Sequence, residues 1–88
     1  MTHREMTKHI RTRIAKAGIK VRVRLYESCG DNYIQVFGVT PDAQFSEAEQ
    51  REIRIIAQVN RLTLAQGMPI DLERMTNSTR FDFVYSER

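Results

Sequence analysis

The stretch IKVRVRLYES, residues 19 to 28, constrains this chain more than any other. Ile19, Val21, Val23 and Leu25 fall on one parity, and Lys20, Arg22, Arg24 and Tyr26 on the other. Successive side chains of a strand point to opposite faces, so the segment predicts a strand with one apolar face and one basic face. The apolar face needs a core to cover it. Two amphipathic helices elsewhere in the chain can supply that cover.

The first helix is predicted from Thr2-His3-Arg4-Glu5, a capping box in which hydroxyl and carboxylate satisfy free backbone N–H groups reciprocally. Met6, Ile10, Ile14 and Ala17 follow at helical spacing, and Gly18 stands where a left-handed cap is wanted. Arg4, Lys8 and Arg11 make a second basic row, away from the apolar stripe. After the opening strand, Cys29-Gly30-Asp31-Asn32 is a cluster of turn formers, and YIQVFGV, Tyr33 to Val39, resumes a β-rich run. Residues 19 to 39 therefore predict an antiparallel hairpin. Ile34 and Val36 join its core parity, leaving Tyr33, Gln35 and Phe37 beside the cations.

Thr40-Pro41-Asp42-Ala43 predicts a turn, and Ser46-Glu47-Ala48-Glu49 a second capping box. Glu47, Glu49 and Glu52 suit the positive end of that helix and need no catalytic or metal-binding explanation. Ile53, Ile56 and Val59, with Ile55 and Leu62 beside them, are the expected buried stripe. Gly67-Met68-Pro69 interrupts the chain, and Ile70 to Met75 suits either a short strand or one helical turn. Arg80 to Tyr85 closes with clean alternation, Phe81, Phe83 and Tyr85 on one side.

The expected architecture is a single α+β domain over residues 1–88: a two-layer sandwich of helix, strand, strand, helix and strand. A short extra element before the last strand is possible in this pattern. Both helices lie on one face of an antiparallel sheet. The other face is expected to be open, carrying Lys20, Arg22, Arg24, Tyr26, Gln35 and Phe37.

Charge narrows the class of function. Residues 1 to 26 hold eight cations against Glu5 alone, while the remainder holds six cations and ten anions. Arginine outnumbers lysine 11 to 3, and its planar fork suits bidentate contact to phosphate or carboxylate. Cations beside aromatic rings are a physical recipe for single-stranded nucleic acid: the charges track phosphates and the rings stack on bases. A helix-turn-helix is disfavoured, because a hairpin follows the first helix.

Enzyme chemistry finds little footing. There is no Gly-rich phosphate loop, no cofactor fingerprint and no His/Cys/acid set at metal-ligand spacing, so neither cofactor nor metal is expected. His3 and His9 read as surface residues, Cys29 as a turn residue, and Met6, Met68 and Met75 as packing. A lone cysteine and no long apolar run fit a soluble protein of a reducing cytoplasm. The first 13 residues are charged and lack the apolar segment of a secretory signal.

A capped helix ending AKAGIKVRVRL, a hairpin with GDNYIQVFGV, a helix opening FSEAEQREI, and a closing GMPIDLER with FDFVY form a recognisable layout. It resembles the type I anti-CRISPR proteins, compact α+β binders carried by phages and mobile elements. The resemblance implies a non-enzymatic inhibitor in the bacterial host cytoplasm. Such a protein occupies a CRISPR surveillance complex and keeps target DNA from it. With a pI near 9.4, this chain cannot act as a DNA mimic. It would instead grip guide RNA or acidic patches of backbone subunits, with Arg22 and Arg24 foremost, then Lys20, Arg4, Lys8 and Arg11, and with Tyr26 and Phe37 beside them. The competing expectation is a free-standing RNA- or DNA-binding accessory protein using the same face. A homodimer through the open face is a third; three cations at its centre oppose it, since uncompensated charges are costly to bury.

Overall fold

A computed structural model describes residues 1–40, 42–65 and 79–86. Helix α1 (His3–Lys16) is followed by strands β1 (Arg22–Ser28) and β2 (Asp31–Phe37), helix α2 (Glu47–Val59), and strands β3 (Thr63–Leu64) and β4 (Arg80–Tyr85). The four strands form one antiparallel sheet in the order β1-β2-β4-β3. The expected α+β class and element order hold, and the two-residue β3 is an element that the sequence reading did not place. The Ile70 to Met75 expectation, Met68 and Met75 lie outside the described residues.

Both capping boxes form. Thr2 Oγ1 accepts from the Glu5 N–H at 3.1 Å and the Glu5 carboxylate accepts from the Thr2 N–H at 2.9 Å; Ser46 and Glu49 repeat the arrangement at the same distances. These bonds hold the Glu5 carboxyl below its ordinary value, the Thr2 backbone N–H contributing most. The two helices also end alike. Past α1, Gly18 at φ +80° lets the Ile19 and Gly18 N–H groups return to Ile14 and Ala15; past α2, Leu62 and Arg61 return to Ala57 and Gln58. Arg61, at φ +62°, stands where glycine would be unstrained.

Between β1 and β2 the turn has two residues, Cys29 at φ +52° and Gly30 at φ +82°, the left-handed pair a tight hairpin requires. It fixes a register that pairs Val23 with Val36 and Leu25 with Ile34, so the predicted parity is kept across the hairpin. The helix-facing side of the sheet brings Val23, Ile34, Val36, Phe81, Phe83 and Tyr85 against Met6, Ile10 and Ile14 of α1 and Ile53, Ile56 and Ala57 of α2. Each of the Val, Ile, Phe and Met side chains contributes roughly 1.5–3 kcal/mol by leaving water. Phe45, from the segment before α2, extends this layer by stacking on Phe81.

Several expectations need correcting. The opening strand starts at Arg22, so Lys20 precedes it, although Ile19 and Val21 still pack on the core. Val59 is 73% exposed and Ile55 also faces solvent, because α2 buries the i, i+3, i+4 set Ile53, Ile56 and Ala57. Leu25 has core parity but is 41% exposed, lying on an outer strand. Ala17 caps α1 and is exposed.

His3 is buried, not superficial. Its Nε2 donates to the Tyr33 carbonyl at 2.8 Å and its ring stacks on Tyr85, which ties the start of α1 to the hairpin and to β4. The Tyr85 hydroxyl donates to the Met1 carbonyl on the same side.

Candidate functional site

The second sheet face is built in rows by the register. Arg22, Phe37 and Arg80 align across β1, β2 and β4, as do Arg24, Gln35 and Asp82, and then Tyr26, Tyr33 and Val84. This face is not open throughout. Gln35 and Asp82 are each 2% exposed and Phe37 is 9% exposed, so exposure survives chiefly along β1. The expectation of a broad platform is corrected to a margin: Arg22 exposed, and Arg24, Tyr26 and Tyr33 half-buried.

The cations differ in what they touch. The Arg22 guanidinium lies 5.8 Å from the centre of the Phe37 ring, which closes that ring to a stacking base. Arg24 lies 5.7 Å from the centre of the Tyr26 ring, and its Nη1 is buried. Arg24 is therefore partly a packing residue, whereas the Arg22 side chain stands exposed. Tyr26 and Tyr33 sit 6.4 Å apart as a tilted pair at the hairpin end of the same margin.

Asp82 is the acid within this face. Arg80 Nε lies 3.2 Å from its Oδ2. Burial holds the Asp82 carboxyl above the ordinary carboxylate range, partly offset by the Arg80 charge and, more weakly, by the neighbouring Gln35 amide. Among the described residues the buried Gln35 Nε2 completes no hydrogen bond, so its effect on Asp82 is weak.

The helix row proves to be on the same side of the molecule as β1. Arg4, Lys8 and Arg11 lie roughly a third of a turn round α1 from its buried stripe, on a flank and not opposite the core. The Arg11 guanidinium donates to the Val23 carbonyl at 3.0 Å, which fixes that flank above the outer edge of β1. Arg4 shares a shallow groove with Thr2, Leu25, Tyr26 and Glu27, while Arg11 and Lys20 line a smaller hollow with Ile19, Val21 and Val39.

The structure thus brings Arg4, Lys8, Arg11, Lys20, Arg22 and Arg24 around one strand, from both faces of the sheet. The reading from sequence placed two separate rows; it missed that they share an edge, and it missed Arg80, which extends the Arg22 row across the sheet. Alternation in residues 80 to 85 was a usable signal for Arg80, since it shares the parity opposite Phe81 and Phe83.

Among the described residues no group of three His, Cys, Asp or Glu side chains could hold a metal ion, and no helix is long and apolar enough to cross a membrane. Cys29 is exposed in the hairpin turn, where the Ser28 hydroxyl is its neighbour. Comparison with protein-family models, curated proteins and solved structures found no match.

Proposed function

We propose that this chain is a non-enzymatic inhibitor that binds a type I CRISPR surveillance complex through the arginine-rich side around β1 and blocks target DNA. One observation carries the reading: two basic rows from different elements flank one strand, with Arg11 tied to the Val23 carbonyl between them. Cations gathered from a helix flank and a sheet face make a ridge that can enter a negatively charged cleft, such as guide RNA held on acidic backbone subunits. The layout resemblance supplies the type of complex, and the basic ridge supplies the mode of grip.

The test is capture of partners by the tagged chain from lysate of a cell with an active type I system, with nuclease treatment. Retention of surveillance-complex subunits after nuclease, together with loss of target-DNA binding by the retained complex, is the expected result. A catch of nucleic-acid-binding proteins that vanishes with nuclease contradicts it.

That second outcome is what a free-standing RNA- or DNA-binding protein predicts. The half-buried Tyr26 and Tyr33 rings beside Arg24 favour that alternative. It requires affinity for naked polynucleotide that falls steeply with salt as counterions are released.

A further inference from the structure

We infer that the outer edge of β1 takes an extended acidic polypeptide segment as an added strand. The two-residue turn makes Ser28 and Asp31 a hydrogen-bonded pair, so the bonded pairs continue at Tyr26, Arg24 and Arg22. Val23, Leu25 and Glu27 must then direct their backbone N–H and C=O groups away from β2. The Arg11 contact to the Val23 carbonyl confirms this polarity independently.

Within the described residues nothing pairs with β1 on that side. Val23 is engaged by Arg11, while Leu25 and Glu27 present two donors and two acceptors along a shallow groove whose wall includes Thr2 and Arg4. Leu25, exposed at 41%, supplies an apolar contact in the middle. A strand laid there would alternate its side chains between the two faces. One set would meet the Arg4, Lys8 and Arg11 flank, and the other the Arg22 and Arg24 row. Cations on both faces select acidic residues on both parities, with Glu27 and Glu5 the opposing charges near the hairpin end.

Alternating donors and acceptors match a polypeptide backbone, whereas phosphates could use the donors alone. A second copy pairing β1 to β1 would set these arginine rows against each other. The inference deepens the reading above by making the contact at this edge a protein segment, and it rests on that reading only for where the segment comes from.

The probe is a capped peptide of repeating Glu-Glu-Val-Val, which places Glu on both parities, about eight residues long, near the length of a natural strand. Its binding to the purified full chain is followed by fluorescence anisotropy and by amide hydrogen exchange at Leu25 and Glu27. Binding that slows exchange at these two amides, and that weakens about tenfold or more when alternate peptide nitrogens on the pairing edge are methylated, is the expected outcome.

Leu25→Pro provides the matching change in the chain, because proline is accepted on an edge strand where the lost N–H faced outward. It should abolish peptide binding while the β1–β2 amides stay protected. Equal binding of the methylated peptide, no binding at all, protection by an oligouridylate instead, or protection by self-association at raised concentration would each overturn the inference. A negative result here with surveillance-complex subunits still retained leaves the function above standing. The converse, peptide binding without retention of the complex, removes that function and not the edge.

Discussion

The two edges of the sheet are guarded in different ways. At one side β3 is two residues long, Thr63 and Leu64, and offers little backbone to another strand. At the other side β1 is seven residues long, and among the described residues its outward backbone groups are guarded by Arg11 and by the charges around them. A short strand blunts an edge outright, whereas charge makes it selective: it repels basic or identical chains and admits acidic ones. On the inference drawn above, the cationic row of residues 20 to 24 serves as both guard and grip.

The comparison breaks most visibly where β4 packs. Phe83→Ala removes a fully buried ring beside β3 and should cost about 3–5 kcal/mol, while Leu25→Ala at the β1 edge should cost under about 1 kcal/mol. Urea unfolding of the two variants measures the contrast directly. Similar losses at both positions would mean that the β1 edge is covered in solution.

Arg24→Glu and Arg22→Glu sharpen the contrast within β1. The first puts a carboxylate in the row that holds buried Asp82 and loses packing on Tyr26, so about 2–3 kcal/mol of destabilisation is expected. The second changes an exposed group and loses only the Arg22–Phe37 contact, so it should stay within about 1 kcal/mol of the parent in thermal unfolding. Binding experiments are accordingly better carried on Arg22, Arg4 and Lys8 than on Arg24, where lost folding would imitate lost contact.

Asp82 gives the β4 side a pH signature. Its folded-state pKa lies above the ordinary 3.8, so the native state holds the proton over a range where the unfolded chain has released it. Stability from this group therefore falls as pH rises from about 3.8 through the folded value, and stays lower above it. Glu5 acts oppositely: its lowered pKa adds stability above its ordinary 4.5 that is lost on acidification through the folded value. Asp82→Asn should raise the melting temperature at pH 7 and remove the decline. A lower melting temperature at pH 7 would show that the Arg80 ion pair outweighs the burial penalty. The smallest effect is expected at the turn, where Cys29→Asn relieves a left-handed strain and should add about 0.5–1 kcal/mol in urea unfolding.

Much of this architecture can be read from local sequence because the signals are local. Thr2 with Glu5, Ser46 with Glu49, the Gly18 cap and the strand alternation of residues 22 to 26 each act over a few residues, and each forms as expected. What local pattern cannot supply is strand order and what lies over each face. The parity of Gln35 and Phe37 is legible, but their burial depends on β4 lying beside β2 and on cover that alternation does not encode. Leu25 has core parity yet lies on an outer strand, and His3 is buried because Tyr33 and Tyr85 converge on it from distant positions. The six cations were visible as two separate rows; their convergence on one strand is a tertiary fact. The outward polarity of Leu25 and Glu27 was within reach, since a two-residue turn at Cys29-Gly30 fixes which hairpin pairs are bonded.

The most direct test of the account is the binding of the purified chain to a purified, guide-loaded type I surveillance complex, compared with an Arg4→Glu/Arg22→Glu variant of unchanged melting temperature. The account predicts a complex with the parent chain and at least about tenfold weaker binding by the variant. Equal binding by the variant, or no binding by the parent, would contradict it.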